Sequence, residues 1–336
     1  MDKNDSNISL VTGGSGFIGR HVVQRLLHLG RPVKVLDLNV SEGTFPKEVE
    51  VFKGSILDQT LVANAMEGTK DVYHLAANPN LWAKDKNVFH EVNFEGTKTI
   101  LEEAKKHNIH KLVYTSTETI LKDYRSKSLE ATTEDIELPP LKQMAGPYSH
   151  SKMLADEAVR KAAKDGLPAV VVNPTIPIGL GDYNLTPPTR MIMDFLNGKT
   201  PAYMECHMNL APVEEVAEGH ILAADKGISG HRYLLSNENL KLSEILTLLE
   251  EITGKEMPHR KVPYFLGYTT AVISEFIADH ITGKAPVASK EGVRLAGGIM
   301  KFDNQKTRAA LGLKARSVKE ALGQAIAWLK EEGLVK

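Results

Sequence analysis

Three glycines at three-residue intervals, Gly13, Gly16 and Gly19, stand in the stretch VTGGSGFIG between an apolar run at 8–12 and a helical pattern at 17–29. This combination marks a βα unit. Gly13 permits the tight turn, Gly16 lets a pyrophosphate approach the backbone, and Gly19 lets the helix pack closely on the strand. The start of the helix offers free amides and a partial positive charge to phosphates.

The rest of the first half repeats the unit. ISLVT (8–12), PVKVLD (32–37), VEVFK (49–53), DVYHLA (71–76), KLVYTS (111–116) and PAVVVN (168–173) are short, β-branched and nearly continuous in apolar character. Strands buried on both faces read this way. Helical patterns at 17–29, 58–66, 88–107 and 148–165 separate them. Such alternation predicts an α/β fold, a doubly wound parallel sheet of Rossmann type. After Pro174 prolines cluster at 177, 187 and 188 and strand signals thin out, HRYLLS (231–236) excepted. Helical patterns at 188–197, 213–225, 242–253, 264–282 and 317–332 predict a smaller, mostly helical C-terminal lobe. The expected division is a cofactor domain over 1–175, to which 206–236 returns, and a substrate lobe over 176–205 and 237–336.

Asp37 ends the second run, 18 residues after Gly19. A carboxylate there accepts hydrogen bonds from ribose hydroxyls and repels a 2′-phosphate, and Leu38 and Asn39 follow it with no arginine, which favours NAD over NADP. With 41 Lys+Arg against 42 Asp+Glu, the total charge gives no pull toward nucleic acid or anionic membrane. A single cysteine, Cys206, excludes an intrachain disulfide and reads as a small buried residue. No apolar run reaches the ~20 residues that span a bilayer, and the polar start MDKNDSNISL lacks an apolar signal core. A cytoplasmic protein is expected.

Tyr148 and Lys152, in PYSHSK, lie four residues apart on a helical pattern and therefore share a face. Bringing a phenol from pKa ~10 to near neutrality takes roughly 4 kcal/mol, which an ammonium about 4 Å away supplies at an effective dielectric of ~20. The pair predicts a tyrosine that moves a proton. His150 faces nearly the opposite side and reads as structural or interfacial. His74 ends a buried strand and reads as a satisfied core histidine. No spacing of His, Cys or carboxylates suggests a metal site.

The glycine pattern and YSHSK resemble the TGxxGxxG and YxxxK of the extended short-chain dehydrogenase/reductase family, the NAD-dependent epimerase/dehydratase type. HLAAN (74–78), VNFEGT (92–97), VYTST (113–117), NPTIPIG (173–179) and MNLAPVEEVAEGH (208–220) resemble its other landmarks in order. NLWAKD, NPTIPIGLGD and DFLNGKTPAY are closest to the dihydroflavonol-reductase-like and hopanoid-associated sugar epimerase branch. The resemblance implies Thr117, with Ser116 beside it, as the hydroxyl that orients the substrate oxygen toward Tyr148. It implies Lys152 as holder of the nicotinamide ribose and Asn93 as support for that lysine, although an asparagine near a helix start could equally be a cap. It further implies cofactor contacts at Phe17, Ile18, Ser55, Ile56, Ala76, Ala77, Pro174, Thr175 and Ile176, besides Gly13, Gly16, Gly19, Asp37, Tyr148 and Lys152. A homodimer paired through the helices at 88–107 and 148–165 is also implied.

Two positions depart from the family pattern. Gly54-Ser55 stands where relatives carry Gly-Asp, so one adenine contact is missing, and Asp58 reads as the cap of the next helix. Glu118 follows Thr117 where reductases carry a small residue and sugar-nucleotide dehydratases an acid. A solvent-facing or ion-paired Glu118 is favoured slightly over a catalytic one.

The leading function is an NAD(P)-dependent oxidoreductase transferring hydride between nicotinamide and a secondary alcohol or ketone. The alternatives are a sugar-nucleotide epimerase or dehydratase with tightly bound NAD, and a non-catalytic NAD-sensing protein. The small-molecule substrate is hardly legible. Trp82, Tyr183, Met191, Tyr203, Met204 and Met208 suggest a partly apolar pocket, although such residues are more often plain core. Arg190, Arg260 and Arg294 are candidates for a diphosphate.

Overall fold

The computed structural model describes residues 7–335; most of the N-terminal stretch read above for a signal core, Met1 to Ser6, lies outside the described residues. The first half runs β1 (Ile8–Thr12), α1 (Phe17–His28), β2 (Val33–Asp37), β3 (Glu50–Lys53), α2 (Gln59–Met66), β4 (Thr69–His74), α3 (Asn87–Phe89), a π-helical turn (His90–Glu95), α4 (Gly96–Lys106), β5 (Lys111–Thr115), α5 (Pro147–Lys164) and β6 (Ala169–Pro174). The second runs β7 (Ile176–Ile178), α6 (Pro187–Leu196), β8 (His207–Pro212), α7 (Val213–Lys226), β9 (Arg232–Leu235), β10 (Glu238–Lys241), α8 (Leu242–Thr253), α9 (Tyr264–Ile277), a π-helical turn (Ala278–Thr282), α10 (Lys290–Ala296), α11 (Gln305–Leu311) and α12 (Val318–Glu331).

Seven strands form one parallel sheet in the order β3-β2-β1-β4-β5-β6-β9. Successive residues of each central strand serve opposite layers. Leu10 and Leu112 pack with Ile100 of α4 and Val159 of α5, whereas Val11 and Val113 pack with Leu26 of α1 and Ile221 of α7. Each such aliphatic side chain contributes about 1.5–3 kcal/mol on burial. The chain order reverses between β1 and β4, which opens a crevice at the carboxyl ends of the strands.

The C-terminal part is mostly helical, as expected, with one addition. It carries a second, three-stranded sheet in the order β10-β8-β7. β7 and β10 are three and four residues long, and Pro177 and Pro212 lie within β7 and β8; short strands with proline carry little sequence signal. Within 206–236, β8 joins this small sheet, while α7 packs on α1 and β9 closes the large sheet. The pattern at 88–107 is interrupted by the π-helical turn, and α10 and α11, seven residues each, escaped the sequence reading. Ile178, Leu210, Leu246, Leu322 and Trp328 form the core that joins the small sheet to α8 and α12. Among the described residues no helix is long and apolar enough to cross a membrane.

Candidate active site

At the end of β1 the chain turns at Gly13, whose φ of +69° and amide bond to the Leu36 carbonyl (2.8 Å) fix the loop. A Cβ at Gly13 would lie 2.6 Å from the Ala76 amide nitrogen, and one at Gly19 would lie 2.1 Å from the Gly13 carbonyl oxygen. Neither position admits a side chain. Gly16 caps α1 with no side-chain hydrogen bond, and the first turn holds no acid, so the helix start keeps its partial positive charge. This loop fits a dinucleotide's phosphates. Asp37, at the carboxyl end of β2, accepts from the Ser15 amide (2.9 Å) and the Asn39 amide (3.1 Å), which fixes its carboxylate at the mouth of the loop. Arg20 also reaches the loop, donating to the Ser15 carbonyl (2.9 Å). Looking only at the residues after Asp37 missed it.

Across the switch point, β5 delivers Ser116, Thr117 and Glu118, and α5 faces them with Tyr148 and Lys152. The helix starts where extended Gly146 meets Pro147 at its first position. The Tyr148 phenol lies within electrostatic reach of Thr117, whose hydroxyl donates to Glu118 Oε2 (2.9 Å). A hydroxyl has one proton, so Thr117, committed to Glu118, can only accept from a further donor such as the Tyr148 phenol. Asn173 holds the Thr117 carbonyl (2.8 Å) from β6. Ser116 Oγ is buried with no hydrogen-bond partner among the described residues.

The electrostatics correct the sequence reading. Lys152 donates to the Thr115 carbonyl (2.7 Å) and lies 4.6 Å from the Tyr114 ring centroid. Burial pushes its pKa down to about 7, against the pull of Asp156. Burial also pushes the Tyr148 phenol well above its ordinary range, Glu118 and Glu291 push the same way, and nearby Thr117 opposes them. Lys152 is not among the groups that shift the phenol, which favours Tyr148 as a proton donor. Glu118 is half-buried, and burial raises its pKa to about 7, with the Thr117 bond opposing.

Asn93 is not a cap. It lies inside the π-helical turn, accepts from the Asn78 amide (2.7 Å) and donates to Ser151 Oγ (3.0 Å), one residue from Lys152. His74 is held by Thr12 (2.7 Å) and Thr97 (3.0 Å), and burial lowers its pKa to about 3. Ala76 and Ala77 follow β4 at the crevice, and the Ala76 amide donates to Thr12 Oγ1 (3.2 Å). Phe17 and Ile18 open α1 with their side chains buried or packed on the core. Ser55 accepts from the Leu57 amide (3.1 Å), Asp58 caps α2, and the Ile56 side chain sits in the core against Gly96. Pro174 ends β6, Thr175 donates to Asn209 (2.8 Å), and Ile176 begins β7.

Glu291 of α10 escaped the sequence reading altogether. Its carboxylate accepts from the Tyr148 amide (3.1 Å), the Ser149 amide (2.8 Å) and the Ser149 hydroxyl (2.6 Å). It supplies the cap that α5 lacks in its own sequence. Beside it a cavity of about 210 Å³ is lined by residues that include Leu81, Trp82, Phe89, Pro147, Glu275 and Arg294. Of the six apolar candidates, Trp82 alone lines it. Met191, Tyr203 and Met208 belong to the lobe core, Met204 packs at Gly267, and Tyr183 is an exposed ring under Arg20. Arg190 and Arg260 are exposed, and Arg294 binds the Ala145 carbonyl (2.9 Å).

A glycine loop at the switch point of a parallel sheet, faced by Tyr148, Thr117 and Glu118, defines a dinucleotide-binding α/β protein. The chain belongs to the NAD dependent epimerase/dehydratase family, whose family model matches residues 9–236. It is 34% identical over 335 residues to a putative dihydroflavonol 4-reductase of Synechocystis sp., covering 97% of this chain and 95% of that one. It is 28% identical to sterol demethylase protein B of Methylococcus capsulatus, covering 97% and 99%. The crystal structure of gox2253 matches with a TM-score of 0.84 at 31% identity, covering 98% of this chain and 100% of that one.

Proposed function

We propose that this NAD-dependent enzyme interconverts a secondary alcohol and a ketone on a ring-bearing, largely apolar substrate. The observation that carries the proposal is Tyr148 set near the bonded pair Thr117–Glu118, next in the chain to Pro147 of a cavity whose lining mixes Leu81, Trp82, Phe89 and Pro147 with charged residues, Lys86, Lys290 and Arg294 among them. The relatives named for a dihydroflavonol and a sterol point to the same substrate chemistry. The cavity also carries Lys86 and Lys290, but both are paired, with Asp279 and Glu275, so a diphosphate would have to displace those pairs, which favours this reading over a sugar nucleotide.

NAD held on the loop from Gly13 to Gly19 would accept hydride from the alcohol and, in its reduced form, deliver it to the ketone. In the direction of ketone reduction Tyr148 donates its proton to the carbonyl oxygen, and Ser116, together with Thr117 once its hydroxyl turns from Glu118, holds that oxygen in place. Glu118, with a pKa near neutrality, refills or drains the proton through the Thr117 hydroxyl. Lys152 leaves the Thr115 carbonyl to hold the ribose, and Asn93 fixes α5 through Ser151. Ala76, Ala77 and Pro174–Ile176 line the cofactor crevice. Ser55 and Ile56 contribute through backbone alone, because their side chains are engaged in the fold.

Asp37 gives NAD preference over NADP, which calorimetric titration of both cofactors tests; tighter NADP binding would reassign the site to Arg20. Residues 1–175 and 206–236 form the cofactor lobe, with β8 at its border, and 176–205 and 237–336 the substrate lobe. The chain works as a homodimer through α4 and α5, with exposed His150 at the rim; a monomer mass by sedimentation would contradict this.

The discriminating experiment follows reduced-nicotinamide absorbance while the protein and NAD meet a panel of sterol-like secondary alcohols. Net growth supports the oxidoreductase. Product without net growth identifies an epimerase or dehydratase, the reading that the family name keeps open. Binding without product leaves a sensing role.

A further inference from the structure

Helix α9 is built inside out. Its acid Glu275 is 6% exposed and takes the Lys290 amide (2.7 Å) and ammonium (3.2 Å), and Asp279, in the π-helical turn that follows, takes Trp82 Nε1 (2.8 Å) and Lys86 (3.0 Å). The outward side holds Phe265 (65% exposed), Leu266, Ile273, Phe276 and Ile281 (72% exposed), with Val287 beyond the turn. Phe265, Val272, Ile273, Phe276 and His280 follow the three- and four-residue spacing of one helical stripe. The 24 residues from Tyr264 to Val287 carry nine of the 19 large hydrophobic side chains that the described residues expose. Concentration of this kind on one face marks an interaction surface rather than scattered surface apolarity.

The charge around the face selects its occupant. From Met257 to Ala288 both acids are turned inward and paired, whereas His259, Arg260, His280 and Lys284 are exposed. Lys84 approaches the same end of the segment, near Gly283. A second copy would set these cations against their own kind across a two-fold axis. An apolar stripe flanked by exposed cations suits the boundary between acyl chains and anionic headgroups. The near-zero net charge of the whole chain conceals this local arrangement.

We infer that α9 and the turn after it dock the protein in the plane of an anionic lipid surface. The inference stands on this face and not on the substrate. It also sets the bilayer on the far side of the helix that supplies Glu275 to the cavity.

The full chain with NAD is tested by co-sedimentation with phosphatidylcholine vesicles with and without phosphatidylglycerol. Binding should require phosphatidylglycerol, weaken as salt rises, and fall at least about tenfold in the Phe265→Ser/Ile273→Ser/Ile281→Ser variant, whose changes lie on the exposed side and leave the melting temperature intact. Equal binding by the triple variant overturns the inference, and so does no binding to either vesicle. Wild-type dimers that dissociate in the triple variant, without vesicle binding, would show instead that the face joins two copies of the chain.

Discussion

Replacing Glu291 by alanine removes the acceptor for two backbone amides and one hydroxyl at the start of α5. Loss of a helix cap costs about 0.5–2 kcal/mol, and a second buried amide left unpaired adds about 1–3 kcal/mol. Burial already holds the Glu291 carboxyl above the ordinary carboxylate range, so removing it recovers part of a desolvation penalty. The net destabilisation comes to about 2 kcal/mol, or a fall of about 4 °C in the melting temperature. If the first turn of α5 opens locally, its amides should exchange about thirtyfold faster. Hydrogen-exchange mass spectrometry of the peptide over 146–152 reads this, with a peptide from α12 as the internal reference. Glu291→Gln should be milder, because it keeps one acceptor and buries no charge. Wild-type exchange at Tyr148 and Ser149 in Glu291→Ala would refute the claim that the C-terminal lobe holds the start of this helix.

Glu118→Gln should remove an ionisation near neutrality from the pH profile of kcat/KM, because burial places the Glu118 pKa at about 7; a profile that keeps that limb assigns it elsewhere. Lys152→Met should weaken NAD binding and turnover together, yet stabilise the free protein at neutral pH by about 5 °C. Burial lowers the Lys152 pKa from 10.5 to about 7, so between these values the unfolded chain holds a proton that the folded chain has shed. Stability is therefore lost as pH falls through that window. Thermal melts across it should be flatter for the methionine variant, and an unchanged slope would contradict the assignment.

The parallel sheet was legible because its strands are buried on both faces, so that ISLVT and PAVVVN read as continuous apolar runs. The Tyr148/Lys152 spacing was legible for a similar reason: helical periodicity is a local property. Their electrostatics were not, since desolvation depends on what β5 and the Thr115 carbonyl bring against the helix. Glu291 lies 143 residues from Tyr148, in a helix too short to show in the sequence pattern. Glu118 read as slightly more at home in solvent because nothing in TSTET tells which side of the strand end is covered. The run YFLGYTTAVISEFI has the composition of a core helix, and only the inward turn of Glu275 shows that its apolar side faces out.

The central claim, a proton carried by Tyr148 during hydride transfer, meets its most direct test in Tyr148→Phe, assayed with whichever secondary alcohol the wild type turns over best. The ring, Lys152 and the glycine loop remain, so NAD affinity by calorimetry should stay within about twofold. Turnover followed by reduced-nicotinamide absorbance should fall by at least about two orders of magnitude. Turnover within a few-fold of wild type at unchanged NAD affinity would make the pair an ordinary contact on a helix and would contradict the mechanism.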